Sequence, residues 1–195
     1  MDVKKRRECW LLAGVTLLIV CVILVCAHFL YRIEPDQTNL KESIASFYNR
    51  NRPEWSHAKE IQVYGWIEFA DNAYCLIEID GELGYAILKK SIAGRYKIEQ
   101  LGYGNHDYRG GIVEQDGRNY LLYGGRNPRT RIAEIQVEVD DVIYSLAVPK
   151  GDYFFVCTEI KYTRKEEYRW EPEALVFDAE GKDITEEIKF YAVGF

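Results

Sequence analysis

From Cys9 to Tyr31 the chain runs for 23 residues without an acidic residue, a lysine or an arginine, and then its pattern changes. A helix of that length rises about 34 Å, against a hydrocarbon core of about 30 Å. Inside lipid only a helix satisfies all of its own backbone hydrogen bonds within one such segment. Trp10 and Tyr31 stand at the two ends, where amphipathic rings prefer the interface. The run predicts a transmembrane helix over residues 9–31, with His28 near its outer end. It exceeds the apolar core of a cleaved signal peptide and lacks an Ala-x-Ala-like site. Cys21 and Cys26 each follow a valine rather than the small residue that a lipidated cysteine would need.

Residues 32–60 form a polar connector that starts near Pro35. Asn39 with Glu42 three positions later suggests a capping pair, and Ile44, Phe47 and Tyr48 fall near one face, so a short helix is predicted at 37–49. Asn51-Arg52-Pro53 ends it. From residue 61 the period becomes two. Ala73, Cys75, Ile77 and Ile79 alternate with Tyr74, Leu76, Glu78 and Asp80, giving one apolar and one mixed face. Further strands are expected at 61–69, 84–90, 94–101, 109–115, 119–124, 131–139, 142–148, 153–163, 173–178 and 184–193. Asp80-Gly81, Asp116-Gly117 and Gly151-Asp152 read as hairpin corners, and Asp178 to Asp183 as another turn.

The predicted fold is therefore mainly β: an N-terminal transmembrane helix, a short connector helix, and an antiparallel β-sandwich or open barrel over residues 61–195. No recurring helical segment supports a βαβ architecture. Residues 66–76 and 112–122 align at an offset of 46, through Glu68 with Glu114, Tyr74 with Tyr120 and Leu76 with Leu122. A shared strand-turn-strand grammar explains that likeness, and the chain is too short for the four blades of a propeller.

Charge adds direction to this layout. Lys4, Lys5, Arg6 and Arg7 outnumber Asp2 and Glu8 before the apolar run, while Arg32 and Glu34 cancel after it. The positive-inside rule places residues 1–8 in the cytoplasm and the C-terminal domain outside, as a single-pass protein of the cell membrane. With the charges of residues 1–8 set aside, 21 Lys and Arg face 29 Asp and Glu, a net charge of −8. Such a domain gives no reason to expect nucleic acid or an anionic bilayer surface as partner. The lipid bilayer is the expected partner of residues 9–31. Aromatic residues make up 14%, with 15 tyrosines, which suits strands with one half-wet face.

Candidate chemistry is sparse. His106, Asp107 and Arg109 lie in the glycine-rich stretch Leu101 to Gly111, where a histidine beside a carboxylate could act as a base. Adjacent residues seldom converge on one metal ion, and no third ligand is spaced nearby. Arg126, Arg129 and Arg131 put three guanidinium groups within six residues of an acidic chain, suited to carboxylates or phosphates of an envelope polymer or a membrane protein. Tyr168 and Trp170 sit in a charged loop that could meet a partner. Cys75 and Cys157 read as buried thiols, and an oxidising compartment would also permit a disulfide between them. Cys9, Cys21 and Cys26 serve as small apolar filler, with palmitoylation open to Cys9. There is no Gly-x-Ser-x-Gly, phosphate loop, CxxC pair or twelve-residue calcium loop. No metal or cofactor is expected.

The runs Gly84 to Lys90 and Asp116 to Pro128 resemble those of small membrane-anchored or lipid-anchored extracytoplasmic proteins of Gram-positive bacteria. The likeness covers residues 37–190 and implies location and fold, with no activity to transfer. The expected function is a membrane-anchored binding or interaction module for an envelope component or protein partner. A cell-envelope hydrolase or transferase, and an accessory subunit of a membrane complex, are the alternatives.

Overall fold

The structure is a computed structural model that describes residues 3–162, 173–190 and 192–194, without the side chains of 3–9, 11–12, 26–28 and 192–193. Helix α1 spans Val3–Leu30 and α2 spans Leu40–Asn49. Eleven strands follow among the described residues: β1 Ile61–Glu68, β2 Asn72–Ile79, β3 Glu82–Lys90, β4 Tyr96–Tyr103, β5 Tyr108–Gln115, β6 Arg118–Arg126, β7 Glu134–Val139, β8 Val142–Ala147, β9 Tyr153–Ile160, β10 Ala174–Phe177 and β11 Ala192–Val193. Among the described residues no helix is long and apolar enough to cross a membrane. The expected span at 9–31 is interrupted there by the positions whose side chains lie outside the described set.

The strands form three sheets. Sheet A is the meander β1-β2-β3-β4, sheet B has the order β11-β5-β6-β9, and sheet C the order β10-β7-β8. They stack because successive side chains of a strand point to opposite faces. On β2, Ala73, Cys75, Ile77 and Ile79 turn toward Leu40 and Ile44 of α2. Tyr74, one residue out of phase, joins Tyr85, Leu122 and Phe155 between sheets A and B. On β6, Leu121 and Tyr123 face the other way, into a cluster with Ile135, Val137, Leu146 and Val176 of sheet C. The domain is thus a four-layer stack: α2, sheet A, sheet B, sheet C.

The expected antiparallel β-rich domain is present, arranged as three sheets. Gly151-Asp152 is a crossing from β8 in sheet C to β9 in sheet B, and no hairpin joins those strands. The expected strand at 184–193 shrinks to β11, which pairs parallel with β5 and departs from the otherwise antiparallel pairing. Asn39 does precede α2, but its side chain makes no cap hydrogen bond. It turns back to the connector, where Nδ2 donates to Arg32 O at 2.9 Å and Oδ1 accepts from Glu34 N at 3.0 Å. The 66–76 and 112–122 likeness reflects two antiparallel hairpins, β1–β2 and β5–β6, in different sheets.

Close approach of sheets A and B depends on two glycines. A Cβ at Gly124 would lie 2.7 Å from Phe155 Cδ2 and 3.1 Å from Leu76 Cδ1, and one at Gly65 would lie 2.5 Å from Phe155 Cβ. Gly65 reaches that face because the β1–β2 register shifts between Val63 and Gly65, and a bulge re-aims the residues after it. The two-residue turns at Asp80-Gly81 and Asp116-Gly117 place positive φ angles on an aspartate and a glycine. The β7–β8 turn instead has Asp140 at φ 51° and Asp141 at φ 61°, so a carboxylate stands where glycine would be unstrained.

These two features predict opposite shifts in stability. Gly124→Val lowers it by about 1–3 kcal/mol through overpacking. Asp141→Gly raises it by up to about 1 kcal/mol by removing the Cβ from a left-handed position. Urea unfolding of the full chain in detergent checks both signs.

Candidate functional site

Pairing of β5 with β6 sets Tyr108 opposite Gly125 and Arg109 opposite Gly124, so Asp107 and Arg126 meet at one end of sheet B. Arg126 is the hub there. Its Nη1 donates to Asp107 Oδ1 at 2.7 Å, and its Nη2 donates to Glu78 Oε2 at 2.7 Å and to Gly81 O at 2.5 Å. Glu78 also accepts from Tyr153 OH at 3.1 Å. The ring of Tyr153 stacks on Tyr64, with centroids 3.5 Å apart and planes 7° from parallel. Glu78 and Tyr64 belong to sheet A, whereas Arg126 and Tyr153 belong to sheet B. The cluster is therefore a clasp between the sheets.

Its electrostatics centre on one cation held by two carboxylates. Desolvation pulls the Arg126 guanidinium down, and its bonds to Glu78 with the charge of Asp107 outweigh that, leaving the pKa above its ordinary value. Burial, then the bond with Tyr153 and the charge of Glu78, pushes the Tyr64 hydroxyl well above the usual tyrosine range. One cation thus serves two carboxylates, and the guanidinium fork is occupied rather than open to a ligand.

The other sequence candidates scatter. Arg109 is buried at 4% exposure between the sheets. Its Nη2 donates to Leu83 O at 3.1 Å, its Nε has no partner, and its guanidinium lies 6.0 Å from the Tyr85 ring. Burial lowers its pKa, with Tyr85 opposing. Arg131 pairs with Glu187 at 2.7 Å. Arg129 is exposed and takes φ 63°. His106 is exposed on the loop before β5. No group of three metal-ligating side chains occurs among the described residues. Tyr168 and Trp170 lie outside the described residues.

Cys75 and Cys157 are both free in the structure. Strand parity is the reason: Cys75 faces α2 and Cys157 faces the A–B seam. Burial pushes the Cys157 thiol up to about 11 and Cys75 further still, so both stay protonated and unreactive near neutral pH.

A surface that the sequence reading missed lies on the outer side of sheet C. Ile135, Val137 and Val139 turn inward, so Gln136 and Glu138 turn outward. Ile143 pairs with Glu138 and Leu175 with Gln136, on the same outward face. Ile143 is 64% exposed and Leu175 43%. With Asp140, Asp141 and Glu173 they line an open groove of about 450 Å³. The signal was present in Val142-Ile143: neighbouring β-branched residues point to opposite faces, and an edge strand cannot bury both. No protein-family model, curated protein or solved structure matches the chain.

Arg126→Ala leaves Glu78, whose side chain is only 16% exposed, without its cation. A loss of about 1–3 kcal/mol is expected, below the full cost of a buried pair because Arg126 is partly solvated. Arg129→Ala stays within about 0.5 kcal/mol. Thermal unfolding of the two variants side by side separates a structural clasp from an exposed arginine.

Proposed function

We propose that this chain is a single-pass membrane protein whose β-rich domain lies outside the cell and binds a partner protein through the outer face of sheet C. The observation that carries the binding reading is the groove itself. Two aliphatic side chains stand exposed on a sheet face, with Glu138, Asp140, Asp141 and Glu173 around them. Apolar contact at the centre with charge at the edge is the usual anatomy of a protein interface. The carboxylates of Glu138, Asp141 and Glu173 favour a partner with lysine or arginine opposite. The strained positive φ of Asp141 at the β7–β8 turn keeps one of those charges at the groove's end.

The anchor reading is supported by residues 9–31 and by α1 itself. Leu17, Leu18, Ile19, Val22, Ile23 and Leu24 are all more than half exposed, on every side of the helix. A helix apolar all round is solvated by lipid or by other helices, not by water. The four cations before the span support an outward domain.

The Arg126 clasp supports a catalytic reading less well, since its guanidinium fork is already taken by Glu78, Asp107 and the carbonyl of Gly81. In cells, a membrane-impermeant maleimide should label Lys150→Cys without permeabilisation. A photocrosslinker at Ser145, on the outer face of β8, should yield a discrete protein adduct that Ile143→Glu with Leu175→Glu removes. Labelling only after permeabilisation would reverse the topology. An adduct that survives the double substitution would remove the sheet C face as the binding surface.

A further inference from the structure

The connector does not let the domain drift from α1. Only Tyr31 and Arg32 separate the end of the helix from Ile33, which is 1% exposed and paired with Tyr96 through two backbone hydrogen bonds of 2.9 Å. Arg95, at the start of β4, closes the junction. Its Nε donates to Tyr31 O at 2.7 Å, its Nη1 to Glu34 Oε2 at 2.9 Å, and its Nη2 to Arg32 O at 3.2 Å. The corner formed by α2, β4 and the β3–β4 turn is therefore held beside the last turn of α1.

That corner carries a groove of about 440 Å³, open to solvent. Phe29 and Leu30 of α1 form one wall, each about two-thirds exposed, and Phe47 and Ile98 lie opposite. Its charged groups are Arg32, Arg50 and Lys97 against a single carboxylate, Glu42. Sequence arithmetic cancels Arg32 with Glu34, but the structure gives Glu34 to Arg95, while Arg32 Nε bonds only the carbonyl of Phe29. Arg50 lies over the Phe47 ring at 5.4 Å. Lys97 lies over the Tyr31 ring at 5.5 Å and is shared with Glu99 at 3.3 Å. Beside this groove, Ile92 projects fully exposed from the β3–β4 turn, which Ser91 N closes onto Arg95 O at 2.8 Å.

We infer that this corner is a lipid-binding surface that takes the phosphate headgroups of anionic phospholipids in the bilayer α1 enters. The inference rests on the anchor reading above. Its chemistry differs from that of the rest of the domain, where acids predominate: here three cations line the groove with Glu42, and Glu99 outside it shares Lys97, which leaves the corner with an excess of positive charge. The groove continues onto Phe29 and Leu30, so its occupant must be apolar at the helix level and anionic just above it. A phospholipid has that order of groups. Ile92 enters the acyl boundary while the cations stay at phosphate depth. The net charge of −8 opposes an anionic surface for the domain as a whole, and the clamp at Arg95 turns this cationic corner toward it.

The test uses the full chain in bilayer discs of phosphatidylcholine and phosphatidylglycerol in equal parts. After gentle detergent extraction, mass spectrometry counts the lipids that remain bound. The wild-type chain should retain phosphatidylglycerol in preference to phosphatidylcholine. Arg50→Glu with Lys97→Glu should lower that preference by about tenfold or more, from two lost cations near the surface. Lys41→Glu with Lys59→Glu, equal in charge change and outside the groove, should leave it unaltered. Arg50→Gln with Lys97→Gln covers the case in which charge reversal disturbs folding, judged by thermal unfolding. No preference in the wild type, or a preference equal in the groove variants, overturns the lipid site alone. Alkaline carbonate extraction of membranes reads the anchor separately: release of the chain overturns the anchor and the lipid site together.

Discussion

Everything in the domain leans on the burial of β6 from both sides. Leu122 and Gly124 close against sheet A, while Leu121 and Tyr123 close against sheet C. A strand so enclosed needs small residues where rings arrive. Tyr123 lies over Gly110 and Tyr108 over Gly125, each glycine directly across the β5–β6 pair from its ring. In sheet A, Tyr85 covers Gly102 in the same manner. The rings shield bare backbone from water and fill the space that the absent side chains leave. Tyr85, Tyr108 and Tyr123 serve this exchange, so these three tyrosines are structural.

Local grammar made the strands legible. Alternation marked β2 residue by residue, and the Asp-Gly corners marked two hairpins. The number of layers was not legible, because period two says that a residue faces in or out and never which sheet it meets. Gly151 looked like a hairpin corner for that reason, although its two flanking strands join different sheets. Asn39 carried the composition of a cap, and a longer-range demand from the connector backbone won its side chain.

The candidate site was legible in place, and its long-range pairing was not. Asp107 and Arg126 do meet, but Arg126 is matched by Glu78, 48 residues earlier in the chain, and by a turn carbonyl. Spacing along the sequence cannot reveal a partner that comes from another sheet. Basic clusters in an acidic protein look available for ligands until long-range pairing is known. The converse held for the outer face of sheet C. There the side chains are ordinary strand residues, and only the absence of a fourth sheet among the described residues leaves them exposed.

The short junction at Arg95 has a mechanical consequence. Two residues between a helix end and a buried isoleucine act as a stiff shaft rather than a cord. Rotation of α1 about its axis swings the sheet stack through the same angle, and the clasped A–B seam carries that turn to sheet C. On the anchor and binding readings proposed above, a partner seated on sheet C would meet a surface at a set height and heading above the lipid. Its search would run over two dimensions and one rotation, in place of the sphere that a flexible linker sweeps.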